Sequence, residues 1–327
     1  MEEKDTEALM VTVRCTAYNH ESYIQQCLEG FVMQKTNFRF EVIVHDDAST
    51  DGTVTIIRKY AEKYPNIIKP IFETENQYSK RDGSLARIMD EHTHGKYVAF
   101  CEGDDYWVDP LKLQKQVDFL ETHPEYGMVH TNFQYYINRD NAFVDNFQYS
   151  PKDKLDIILS IIDGNKYRVQ TNTVLFRNEL YKIIITSDDL LYKSSYFFMG
   201  DTQLWIGILL QSNIYYLNSI TAIYRVAEGS ACRNSNLINR FRFDLSSSEL
   251  RLYLLDKVKK KYPSLDSNVR LKRKLQKEYN LNLIRYKLFV PSFKPLYSLS
   301  MQYNLLYSIL RFPFLISMVK KYIRLKH

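Results

Sequence analysis

Over its first 135 residues the chain alternates short apolar runs with segments whose apolar residues recur every three or four positions, and this alternation restricts the fold most. Val11-Thr12-Val13-Arg14-Cys15-Thr16 reads as a strand, followed by Ile24, Cys27, Leu28 and Phe31 at helical spacing. Phe40 to His45 is a second strand, and the turn from Asp46 to Gly52 leads into a helix carrying Ile56, Ile57 and Tyr60. Ile67 to Phe72 is a third strand, with Leu85, Ile88 and Met89 marking the helix after it. Tyr97 to Cys101 is a fourth, and Asp109-Pro110 opens a helix with N-cap and first-turn chemistry in the usual order. Gly127 to His130 is the next strand. Repeated β-α-β units with apolar strands predict an α/β fold around a mostly parallel, doubly wound sheet.

After about residue 135 the rhythm loosens. Thr173 to Phe176 and Ile214 to Val226 read as strands and Thr202 to Leu210 as a short helix. From residue 237 helices dominate, broken by Pro263, Pro291, Pro295 and Pro313. The expected division is a domain over 1–235, with halves at about 10–135 and 136–235, and a helical extension over 236–327. Charge divides the same way. Residues 251–327 carry 18 Lys/Arg against 3 Asp/Glu, while the rest carry 26 against 35. An acidic body with a basic tail points to a polyanionic partner for the tail, either lipid headgroups or nucleic acid.

Cys15, Cys27, Cys101 and Cys232 fall at no metal or disulfide spacing, and the first three sit in apolar runs, which argues for a reducing cytosol. The amino-terminal segment MEEKDTEALM lacks an apolar h-region, so no signal peptide is expected, and no run approaches the ~18 apolar residues of a membrane-spanning helix. No HxxxH or HExxH spacing supports a zinc site, and no nucleophile elbow supports hydrolase chemistry.

In an open parallel sheet, ligands bind beyond the carboxyl ends of the strands. Tyr18 and Asn19 follow the first strand, Asp46 and Asp47 the second, and Glu102, Asp104 and Asp105 the fourth. Three carboxylates within Glu102-Gly103-Asp104-Asp105 repel one another unless a cation or strong donors offset them. Hard oxygen ligands suit Mg²⁺ or Mn²⁺, held with the help of substrate phosphates; a solvated acidic loop is the plainer reading. No GxxxxGK[ST] and no GxGxxG after the first strand argue against a P-loop NTPase and a dinucleotide dehydrogenase. Tyr18 suits stacking on a base, and Asp47 suits accepting from a base N–H, though the DDASTDGT segment also reads as turn and cap chemistry.

Thr16-Ala17-Tyr18-Asn19, Glu41 to Thr53 and Glu102-Gly103-Asp104-Asp105-Tyr106-Trp107 resemble, in order and spacing, the signature blocks of family 2 glycosyltransferases. The resemblance is strong over 10–135 and thinner to about 230. It implies a GT-A fold, a nucleotide-sugar donor (UDP-linked by preference), a divalent cation, and inversion at the anomeric carbon. By the same resemblance Thr16 and Tyr18 hold the base, with Tyr18 stacked on it, Asn19 belongs to the donor site, and Asp47 binds the base edge. Glu102 stands at the first position of the DxD-type motif, where the family more often has Asp, and Asp104 at the third, as metal ligand. The loop to Leu113 is one residue longer than the commonest pattern, which brings in Asp105 for the same role. Arg81, in Ser79-Lys80-Arg81-Asp82-Gly83, matches loosely a residue that reaches base or phosphates. Met199-Gly200-Asp201-Thr202 resembles the block that supplies the catalytic base, which selects Asp201; a helix cap is the alternative. Tyr224 to Ser230 resembles the segment closing the catalytic domain, with Ala227 where relatives often carry His.

In the tail, Tyr297, Tyr303, Tyr307, Arg311, Phe312, Lys320 and Lys321 interleave aromatics and bases with Leu305, Ile309 and Leu315. An interfacial helix on an anionic membrane, a helix packed on the catalytic domain, and a homodimer contact are the three readings; no nucleic-acid-binding motif is present. The expectation is a cytoplasmic, peripheral enzyme acting on a glycan or lipid-linked acceptor in cell-surface polysaccharide synthesis. The rivals are a metal-dependent nucleotidyltransferase, which would need a glycine-rich basic loop absent from Thr16 to Ser22, and a non-catalytic nucleotide- or sugar-binding protein.

Overall fold

A computed structural model describes residues 8–164, 167–194, 196–226, 236–263, 265, 269–310, 315 and 317–321. These form two compact units, one of residues 8–158, 167–194 and 204–226, the other of 159–164, 196–203 and those from 236 onward.

The first unit is built on one sheet. Strands β1 (Leu9–Ala17), β2 (Arg39–Asp46), β3 (Ile68–Phe72) and β4 (Tyr97–Phe100) lie in the order β3-β2-β1-β4, all parallel. Helices α1 (Ile24–Val32), α2 (Thr53–Lys63), and α3 (Gln77–Lys80) with α4 (Ser84–Glu91) occupy the connections. Val13 pairs with Val42 on one side and Ala99 on the other, so β1 is central. Its Val11, Val13, Cys15 and Ala17 are buried with Leu28 and Phe31 of α1 and Val117 of α5 (Lys112–Thr122). Pro70 lies in β3, the edge strand, where a missing N–H leaves no central ladder bond unmade.

Beyond β4 antiparallel pairs join the parallel ones. β8 (Leu175–Arg177) is antiparallel to β4, β6 (Tyr126–Ile137) antiparallel to β8, and β9 (Asn213–Val226) parallel to β6. The short β5 (Tyr106–Trp107) closes that edge antiparallel to β9, and β7 (Ala142–Asp145) pairs with β6.

Two local details set up the site. Gly30 of α1 packs so close to β5 that a Cβ there would stand 2.9 Å from the Trp107 backbone nitrogen, and Phe31 meets the Trp107 ring edge-on at 4.9 Å. Helix α5 begins at Lys112 rather than at Pro110; Asp109 instead closes a turn, its Oδ1 accepting from the Leu111 N–H at 2.9 Å. Lys112 is fully buried, donates to Gln116 Oε1 at 2.7 Å and lies 4.5 Å from the Trp107 ring centre; burial lowers its pKa to about 7.

Helices α6 (Lys154–Asp163), α7 (Asn178–Ile185), α8 (Asp189–Tyr192) and α9 (Asp201–Gln211) come before the long helices of the second unit. These are α10 (Leu237–Lys261), α11 (Val269–Phe289) and α12 (Met301–Leu310). Asn236 caps α10 by accepting from the Ile238 and Asn239 N–H groups, and Lys259, Lys260 and Lys261 sit in its last turn, where cations suit the dipole. Tyr307 of α12 packs with Ile284 and Leu288 of α11. Among the described residues no helix is long and apolar enough to cross a membrane.

Candidate active site

The carboxyl ends of β2, β1 and β4 lie side by side, and their loops are tied together by hydrogen bonds. Asn19 adopts left-handed backbone (φ 53°), which asparagine tolerates better than most residues. Its N–H donates to Ser49 Oγ at 2.9 Å and its Oδ1 accepts from the Thr50 N–H at 2.8 Å. The His20 and Glu21 N–H groups donate to Thr53 Oγ1 and Asp51 Oδ2 at 2.8 and 3.0 Å. Asn19 therefore clasps the loop after β1 to the loop after β2. Tyr18, just beyond β1, is 47% exposed and presents a free face, while Thr16 is half-buried and its carbonyl accepts from the Gly103 N–H at 2.9 Å.

Asp47 is buried, and both its oxygens accept from backbone, the Gln77 N–H at 2.6 Å and the Tyr78 N–H at 3.0 Å. A base N–H reaching Asp47 would share its oxygens with these two amides. Arg81 ends α3 in left-handed backbone (φ 51°) and is exposed.

The acidic loop after β4 separates its three carboxylates. Asp105 is 2% exposed; its Oδ1 accepts from the Arg225 N–H at 2.8 Å and its Oδ2 from Asn172 Nδ2 at 3.0 Å. Burial pushes its carboxyl well above the usual range, and the neighbouring charges of Asp104 and Glu102 push the same way. Each Asp105 oxygen thus already accepts from one of the chain's own donors. Glu102 and Asp104 are half-buried. Gly103 between them cannot be larger: a Cβ would stand 2.8 Å from His20 Nδ1 and 3.1 Å from Ala17 Cβ. His20 Nδ1 is buried without a hydrogen-bond partner, and burial lowers the imidazole pKa against the opposing pull of Asp104, Asp51 and Asp46.

Among the described residues no group of three or more His, Cys, Asp or Glu is gathered to hold a cation. Asp104 and Glu102 are nonetheless hard oxygen donors at a strand end, which fits Mg²⁺ or Mn²⁺ shared with substrate phosphates rather than caged by protein.

Asp201 belongs to the second unit, in the first turn of α9, where its Oδ1 accepts from the Thr202 N–H. Two carboxylates a little earlier in the chain have other duties: Asp188 caps α8 through the Leu191 N–H, and Asp189 pairs with Lys193 at 2.7 Å. Glu228 and Ala227 lie outside the described residues. Sequence reasoning gave no role to Asn172 or Arg225. Both act through partners distant in sequence, and no local pattern signals that.

Residues 12–184 match the model of the family described as Glycosyl transferase family 2. An uncharacterized protein of Mycobacterium tuberculosis is 39% identical over 166 residues, which is 50% of this chain and 45% of that protein, so the match spans about half of the relative's length. The Escherichia coli UDP-Glc:alpha-D-GlcNAc-diphosphoundecaprenol beta-1,3-glucosyltransferase WfaP is 28% identical over 69% of this chain and 80% of its own. The crystal structure of Staphylococcus aureus TarS 1–349 in complex with UDP-GlcNAc superposes with a TM-score of 0.55 at 19% identity, covering 86% of this chain and 73% of that one.

Proposed function

The chain belongs to glycosyltransferase family 2 and has the GT-A fold, and from that premise we propose that it transfers a sugar, with inversion, from a UDP-linked donor to a glycan or lipid-linked acceptor in cell-surface polysaccharide synthesis. The observation that carries this reading is the acidic loop beyond β4, locked to the Tyr18 loop through Gly103 and Thr16 and offering Asp104 and Glu102 beside an exposed aromatic face. The sugars and UDP named for WfaP and TarS support the donor class.

In this reading Tyr18 stacks on uracil, Thr16 and Asn19 shape its seat, Asp47 reaches its edge, and Arg81 approaches the phosphates. Asp104, with Glu102 beside it, would hold a divalent cation, which when bound supplies positive charge against the diphosphate. Asp201 removes the proton of the acceptor hydroxyl as that oxygen attacks C1, and the bond from C1 to the diphosphate oxygen breaks with its electron pair on the leaving group. A binding protein without turnover would share the nucleotide site but show no transfer. The test is a thermal-shift panel of nucleoside diphosphates with and without Mn²⁺. A ligand that binds only the folded state at 100 times its Kd adds about 2.7 kcal/mol. Stabilisation by UDP that needs Mn²⁺ is the expected result; no response to any nucleoside diphosphate, with or without Mn²⁺, would sink the donor assignment.

The tail completes the proposal. On α12, Met301, Leu305 and Ile309 recur every fourth residue and are 91%, 65% and 45% exposed, while Tyr307 faces α11. With 18 Lys/Arg against 3 Asp/Glu beyond residue 250, this apolar stripe suits the anionic cytoplasmic face of the plasma membrane. Replacing Met301, Leu305 and Ile309 together by Ser should abolish flotation with phosphatidylserine vesicles at low salt and leave transfer to a soluble acceptor intact. Equal flotation of both forms would assign the stripe another role.

A further inference from the structure

We propose that Arg225, at the end of β9, is a positioning residue for the donor loop: it holds the backbone of Asp104, so that the Asp104 carboxylate is already placed for the cation that would accompany the donor diphosphate. The inference rests on the donor reading above. Arg225 is 8% exposed, yet every part of it is engaged. Nε donates to the Asp104 carbonyl at 2.9 Å, Nη2 to Gln26 Oε1 at 2.7 Å and Nη1 to Asn138 Oδ1 at 3.4 Å, while its backbone N–H donates to Asp105 Oδ1 at 2.8 Å. The guanidinium also lies 4.8, 5.2 and 5.4 Å from the ring centres of Tyr23, Tyr136 and Tyr106.

One side chain thus joins α1, the end of β6, β5 and β9 at the point where the acidic loop turns. The guanidinium donates from three separate coplanar nitrogens while stacked in an aromatic cage; a lysine ammonium in the same cage keeps the charge but has its donors on one atom, which cannot reach all three acceptors. The bond to Asp104 goes to its carbonyl, so the carboxylate stays available for ligand. A displacement of about 1 Å at a reacting group can cost about 100-fold, which makes backbone control at this residue consequential.

The test compares Arg225→Lys and Arg225→Met with the parent by two readouts: amide hydrogen exchange of residues 101–106 in ligand-free protein, and Mn²⁺-dependent UDP affinity by calorimetry. Expected are faster exchange confined to that segment, with β1 to β3 unchanged, and affinity weakened about 10- to 100-fold in Arg225→Met and less in Arg225→Lys. Exchange at the parent rate would overturn the proposal, as would faster exchange with parent affinity. If the parent itself binds no UDP, the donor reading fails, and the exchange readout alone decides whether Arg225 positions the loop. Should Arg225→Met not fold, Gln26→Leu removes an exposed acceptor of the guanidinium. A smaller rise in exchange over 101–106 is then expected, and no rise would overturn the assignment.

Discussion

Asp104→Asn is expected to lose Mn²⁺-dependent stabilisation by UDP while still melting in one cooperative step. An amide cannot supply the negative oxygen that a hard divalent cation takes, so the shift worth about 2.7 kcal/mol at 100 Kd should vanish. The fold should not suffer. The Asp104 carbonyl, which Arg225 Nε grips, is unchanged by the substitution, and a charge that opposes ionisation of buried Asp105 is removed. Asp105→Asn gives the opposite signature. One face of the new amide would point an N–H at a donor, either the Arg225 N–H or Asn172 Nδ2, leaving a buried group unsatisfied at about 1–3 kcal/mol. Thermal melting with and without UDP and Mn²⁺ separates the two. Retained Mn²⁺-dependent UDP binding in Asp104→Asn would remove Asp104 from the donor site.

The second large effect is expected at Asp201. Loss of a general base typically costs 10² to 10⁴ in rate, so Asp201→Asn should lower kcat by that factor while UDP affinity stays at the parent value. Its hydrogen bond argues that stability will hardly move, because an asparagine Oδ1 can accept from the Thr202 N–H as the aspartate does. Steady-state kinetics beside UDP calorimetry make the measurement. A variant with full kcat would show Asp201 to be a first-turn helix residue and nothing more. Asp188 and Asp189 would then be tested next, although one caps α8 and the other pairs with Lys193.

Much of the fold was legible from order along the chain alone. Strands β1, β2, β3 and β4 are each within two residues of the expected spans: β1, β2 and β4 are largely buried in the parallel part of the sheet and read as apolar runs whatever surrounds them, and the edge strand β3 keeps Ile68, Ile71 and Phe72. β9 and α9 were legible as longer apolar patterns. β5 was not: two residues, Tyr106 and Trp107, carry no periodicity, and they become a strand only because β9 pairs with them. The start of α5 was misplaced because Asp109-Pro110 makes good helix-start chemistry that here closes a turn instead.

At the site, the sequence by itself determined which residues stand at the ends of β1, β2 and β4, because strand order and loop position are properties of the chain. It could not determine which way each carboxylate turns. Asp104 and Asp105 are adjacent and chemically identical, and they differ only in what comes to meet them. Asn172 and the Arg225 backbone claim Asp105, 67 and 120 residues away, and Gln77 and Tyr78 claim Asp47. A buried carboxylate must find donors wherever the fold brings them, and a half-exposed one remains available for ligand. That division between a carboxylate held by the chain and one left open is made by long-range hydrogen bonding, a product of the fold and not of local order.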